Sequence, residues 1–114
     1  MATRRPAPGR DFEQRVRGVI ATLLAEGSSA RVQDIAARLA TSVRTLQRRL
    51  HAAGVTYAGA LQEERCAVAR KLLRDQAHGI GDVARTLGYS DPAHFTRAFH
   101  RWTGSSPSAF RRRS

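Results

Sequence analysis

The chain has 114 residues, room for one compact unit or two very small ones sharing a helix. Its 20 lysines and arginines stand against 9 acids, a formal net charge of +11 carried almost wholly by arginine, since Lys71 is the only lysine; such a surplus is expected to bind polyanions, and arginine's fork of donors suits phosphate and guanine. A single cysteine, Cys66, excludes an internal disulfide framework, no run approaches the roughly 18 apolar residues of a membrane span, and no apolar segment follows the basic start as a secretory signal requires, so a cytoplasmic protein is expected.

Residues 1–10, MATRRPAPGR, are predicted to form a disordered basic tail, and residues 11–114 a single domain. From Asp11 to Ala25, Phe12, Val16, Val19, Ile20, Leu23 and Leu24 recur at helical spacing, which predicts an amphipathic helix that Gly27 ends. Val32, Ile35, Ala36 and Leu39 then mark a buried helical stripe. After an interruption at Ala40-Thr41, Ser42 is a good N-cap for a helix whose inner face carries Leu46 and Leu50 and which Gly54 closes. This is a helix–turn–helix over about 32–54.

From about 56 to 76 the residues Tyr57, Ala60, Leu61, Val68, Ala69, Leu72 and Leu73 keep helical spacing, and neither Gly nor Pro occurs between Ala60 and Gln76. Some 20 residues make a rod of about 30 Å. Successive major-groove faces recur about 34 Å apart, so the rod can hold two recognition helices on one side of a duplex. A role in three-helix packing gives the same periodicity. Arg65 falls on the apolar side of this helix, where its stem can pack while its head finds a carboxylate, so a structural role is expected. Cys66 is read as a small packed helix residue.

In the stretch IGDVARTLGYSDPAHFTRAFHRWTGSSPSAF, Ile80, Val83, Ala84 and Leu87 repeat the stripe and Gly88 breaks it. Asp91-Pro92 is a strong helix start, Phe95, Ala98, Phe99 and Trp102 form the apolar face, and Gly104 is the stop. This second helix–turn–helix, about 80–104, is an internal repeat of the first. Asp34, Ile35, Ala36 and Leu39 align with Asp82, Val83, Ala84 and Leu87 at an offset of 48. Leu46, Arg48, Leu50 and His51 align with Phe95, Arg97, Phe99 and His100 at 49, so the second turn holds one extra residue.

A helix–turn–helix places its second helix in the DNA major groove. With Leu46 and Leu50 inward, Arg44, Gln47, Arg48 and His51 face outward; with Phe95 and Phe99 inward, Ala93, Thr96, Arg97 and His100 do. Residues early in the helix enter the groove more deeply, which favours Arg44, Gln47 and Arg48 over His51, and Ala93, His94, Thr96 and Arg97 over His100 and Arg101. Arg44 and Arg48 suit guanine O6 and N7, Gln47 suits adenine, and Ala93 and Thr96 offer methyl contacts to thymine. Ser42, His51, Tyr89, Ser90, His100, Arg101, Ser106, Arg111 and Arg112 are assigned to backbone phosphates, although Arg111 to Arg113 also read as a frayed basic tail. The first helix carries more hydrogen-bonding side chains and is expected to supply more of the direct readout.

The run GYSDPAHFTRAF with TGSSPSAFR resembles the C-terminal signature of the AraC/XylS family of bacterial transcription regulators, and the resemblance spans about Val32 to Arg112. It implies an all-α fold of two helix–turn–helix motifs joined by a long helix. It also implies base contacts from Arg44, Thr45, Gln47 and Arg48, then Ala93, His94, Thr96 and Arg97. Double-stranded DNA is the implied partner, and activation through RNA polymerase is what the family suggests. Most relatives add an effector-binding or dimerisation domain, and only about ten residues precede the first predicted helix. The chain is therefore expected to be a stand-alone regulator or a module of a larger one.

Other classes fit less well. His51, His78, His94 and His100 lack zinc-ligand spacing and one cysteine cannot build a multi-cysteine site, so no enzyme, metal or cofactor is expected. RNA binding lacks a stacking surface, because Phe95, Phe99 and Trp102 are assigned to the core. A non-specific architectural DNA binder is the alternative that charge alone would produce.

Overall fold

The computed structural model describes residues 8–113. These residues form seven helices in an all-α fold: α1 Pro8–Ala25, α2 Val32–Arg38, α3 Val43–Ala52, α4 Tyr57–Arg74, α5 Ile80–Thr86, α6 Pro92–Thr103 and α7 Pro107–Arg113. Residues 1–7 of the predicted tail lie outside the described residues, and α1 begins at Pro8, three residues ahead of its predicted start. None of the described helices is long and apolar enough to cross a membrane.

Side chains write most of the helix starts. The Ser42 hydroxyl accepts the Thr45 N–H at 3.1 Å, Thr56 accepts from Gly59 at 3.0 Å, and the Asp91 carboxylate accepts from Ala93 at 2.9 Å, each satisfying a backbone donor that the first helical turn leaves orphaned. Ser106 does the same for α7, accepting from Ala109 at 3.1 Å. The sequence reading stopped at Gly104 and missed α7. Its signal is present: Ser106 followed by Pro107 repeats the cap-then-proline pattern of Asp91-Pro92, and Phe110 supplies the apolar contact, with its ring 5.5 Å from that of Phe99.

The two turns superpose in their hydrogen bonding. Thr41 N–H donates to the Ala36 carbonyl at 2.9 Å, and Tyr89 N–H donates to Ala84 at 2.9 Å, the same bond 48 residues on. The caps Ser42 and Asp91 are 49 apart, so the extra residue falls at Ser90. Gly88 takes a left-handed backbone at φ 89°. Its counterpart Ala40 does so at φ 52°, the one non-glycine among the described residues in that region.

Apolar stripes meet in one connected core. Phe12, Val16, Ile20, Leu23 and Leu24 of α1 lie against Ile35, Leu46 and Leu50, while Leu73, Val83, Leu87, Phe95 and Phe99 fill the second half. Each such side chain, fully buried, contributes about 1.5–3 kcal/mol. The long helix α4 is more than a spacer. It spans about 27 Å at 1.5 Å per residue, and it packs on α1 as well as on α5 and α7. Arg17 of α1 fixes that junction, its Nε donating to Glu13 at 2.8 Å and its Nη1 to Glu64 at 3.2 Å and Glu63 at 3.3 Å. Burial opposes the charge of Arg17, but these carboxylates outweigh it and raise the guanidinium pKa. The whole measures 39 × 38 × 23 Å, a slab rather than a ball.

Candidate nucleic-acid interface

Two helices present polar faces free of acids. In α3, Leu46 and Leu50 are fully buried, which turns Arg44, Gln47, Arg48 and His51 outward into solvent. Thr45 is half-buried, with its N–H engaged by the Ser42 cap. None of the side chains of Arg44, Gln47, Arg48 and His51 makes a hydrogen bond or ion pair among the described residues. In α6, burial of Phe95, Ala98 and Phe99 exposes Ala93, His94, Arg97, His100 and Arg101 and leaves Thr96 half-buried. His94 Nε2 lies 4.0 Å from an Asp91 oxygen, whereas Arg97 has no partner among the described residues.

The scaffold behind these faces is rigid. Along α6 the rings of Tyr89, Phe95, Phe99 and Trp102 follow one another at 5.6, 5.8 and 6.4 Å between centroids. Phe95 and Phe99 are fully buried, as expected of core residues, and Trp102 is half-buried. Behind α3, the Arg49 guanidinium sits 3.8 Å from the centre of the Phe12 ring, a cation–π contact that ties α3 to α1. Sequence reading assigned Arg49 no role, because its neighbour Arg48 has the same side chain and only the fold separates them.

The residues assigned to phosphates divide by their surroundings. Ser90, His100, Arg101 and Arg112 are exposed and uncommitted. Ser42 and Ser106 accept backbone N–H groups as caps, which leaves each hydroxyl hydrogen free to donate. Tyr89 is half-buried, and burial raises its pKa against the opposing charges of Arg65 and Arg101. Arg111 departs from the expectation. Its guanidinium donates to the carbonyls of Leu73 at 2.9 Å, Asp75 at 3.4 Å and His78, so it is committed to the C-terminal end of α4. Arg113 is bound by the Ser105 hydroxyl.

Among the described residues no group of three or more His, Cys, Asp or Glu could hold a metal ion.

A helix-turn-helix domain family model matches residues 35–113. The ornithine utilization regulator of Pseudomonas aeruginosa is 33% identical over 97% of this chain, and the transcriptional regulator VirS of Mycobacterium tuberculosis is 35% identical over 88%. The chain spans 37% and 29% of the lengths of these curated relatives. Among solved structures, a DNA-binding transcriptional dual regulator from Escherichia coli K-12 superposes with a TM-score of 0.82 at 25% identity, covering 99% of this chain and 96% of its own. An AraC-type DNA-binding domain protein from Chromobacterium violaceum gives a TM-score of 0.77 at 20% identity, covering 93% and 94%, and shares the fold. With the family's helix–turn–helix model matched over most of its length and regulators on every side of the comparison, the chain belongs to the AraC-type family of transcriptional regulators.

Proposed function

We propose that this protein binds double-stranded DNA at a specific sequence and regulates transcription from there, with α3 and α6 entering adjacent major-groove segments on one side of the duplex. The observation that carries the reading is the state of Arg44, Gln47, Arg48 and Arg97. They stand exposed on two capped helices, with no partner among the described residues to satisfy them. In this reading Arg44 and Arg48 bond to guanine, Gln47 to adenine, and Thr45, Ala93 and Thr96 meet thymine methyls, with His94 and Arg97 completing the second block. Ser42, His51, Tyr89, Ser90, His100, Arg101, Ser106 and Arg112 grip phosphates on either side. An architectural binder needs only the charge. The acid-free outer faces on two repeated, capped helices are what favour sequence readout. Relatives named as transcriptional activators, from Rhodococcus and Shigella flexneri, support activation as the regulatory outcome.

Selection of preferred sites from random duplexes tests this, with affinities for the winner and a scrambled control taken across a salt series. The expected site has two short blocks about 10 base pairs apart. Arg48→Ala is expected to relax the preference within one block, with a loss of about 1–3 kcal/mol against the preferred base. Equal affinity for both duplexes at every salt concentration would contradict the reading.

A further inference from the structure

Arg65 does not find the carboxylate expected for it. It is half-buried on α4, makes no hydrogen bond or ion pair to any described residue, and its Nε is buried without an acceptor. Two tyrosines lie near it: the Tyr89 ring, whose centre is 5.7 Å from Cζ, and Tyr57, whose hydroxyl feels the charge of Arg65. A half-buried cation without an acceptor costs stability, so a fold that keeps one calls for a reason.

Its position supplies one. Arg65 lines a cavity of about 350 Å³ together with Leu61 of α4, Ser28, Ser29 and Arg31 ahead of α2, and Gly88 in the second turn. No acid lines it. Asp34, which follows this loop, takes a hydrogen bond from Ser29 at 2.8 Å. The cavity therefore lies between the two helix–turn–helix motifs, one residue ahead of α2 and three ahead of the Asp91 cap of α6. When α3 and α6 occupy neighbouring major-groove segments, the sugar–phosphate backbone bordering the intervening minor groove passes between them. We infer that this cavity seats a DNA backbone phosphate from that stretch, with Arg65 and Arg31 as its cations and Ser28 as a further donor. The inference rests on the DNA-binding reading above. A phosphate would give the Arg65 guanidinium the acceptor that the protein withholds, and it would couple the two half-sites through a contact that reads no base.

The test compares wild type, Arg65→Met and Arg65→Lys on the selected duplex and on the same duplex with uncharged methylphosphonate linkages between the two blocks. Arg65→Met keeps the apolar stem and removes the charge. It should leave the melting temperature of the free protein unchanged or raised, because the unpaired cation is gone. On the natural duplex it should bind on the order of tenfold more weakly, with a salt slope shallower by about 0.9. On the methylphosphonate duplex the two proteins should converge, and Arg65→Lys should keep most of the affinity. A melting temperature lowered by Arg65→Met, with wild-type affinity in the folded protein, would make Arg65 a structural residue and overturn the inference. So would a rise in wild-type melting temperature with inorganic phosphate alone while both proteins bind DNA equally. If wild type showed no preference for its selected duplex, sequence readout would fail separately, and the paired salt slopes would still decide the role of Arg65.

Discussion

Arg111 and Arg112 are adjacent in sequence and differ in everything around them. Arg112 is exposed and uncommitted among the described residues, while Arg111 reaches back to the carbonyls of Leu73 and Asp75 at the end of α4 and of His78 in the loop that follows. The Leu73 carbonyl lies in the last turn of α4, where carbonyls have no helical partner and carry the negative end of the dipole, so a guanidinium there joins α7 to α4. Arg111→Ala is expected to lower the unfolding free energy by about 2 kcal/mol, measured by chemical denaturation, while Arg112→Ala leaves it within about 0.5 kcal/mol. Equal effects would contradict this division. The same contrast shows what sequence could tell at this scale. Outward positions such as Arg44, Gln47 and Arg48 follow from helical rotation about Leu46 and Leu50, and they stand where that rotation puts them. Which guanidinium finds a carbonyl, a ring or nothing is settled by elements far away in the chain. Arg49 against Phe12 and Arg111 against Leu73 are therefore absent from any local pattern.

At the scale of elements, the internal repeat offers a comparison within one molecule. Ala40 and Gly88 occupy the same place in their turns, both left-handed, yet only one is glycine. A side chain in that region costs roughly 1–2 kcal/mol, partly offset by the larger freedom that glycine loses on folding. Ala40→Gly should therefore stabilise the protein by about 1 kcal/mol and Gly88→Ala destabilise it by a similar amount, read as opposite shifts in denaturation midpoint. A Cβ built at Gly88 meets nothing within 4 Å, so the backbone alone sets the result there. Two shifts of the same sign would show that the turns are not equivalent. Six of the seven helices were legible because each carries an apolar stripe at helical period, reinforced in α3 and α6 by the Ser42 and Asp91 caps. The seventh was not, because α7, no shorter than α2 or α5, has only Pro107, Ala109 and Phe110 as apolar residues and ends in three arginines, so it lacks the i, i+3, i+4 stripe of those two helices.

At the scale of the molecule, α4 joins the two small motifs through one core. Its length is legible in the sequence, whereas a rod and a packing helix share the same apolar spacing. It is both, because Ala60, Val68, Ala69 and Leu73 are buried while Arg17 is bonded to Glu63 and Glu64 across the junction with α1. Telling the two roles apart needed tertiary contacts. The junction fixes α3 relative to α6, and this leads to the central claim that two recognition helices held in one rigid body read two blocks at a fixed spacing. The measurement that tests it most directly is affinity for the selected duplex against one with five base pairs inserted between the blocks. Half a helical turn places the second block on the far side of the DNA, so the insertion is expected to cost as much affinity as scrambling one block outright. Unchanged affinity for the lengthened duplex would contradict the claim and show that the two motifs bind independently.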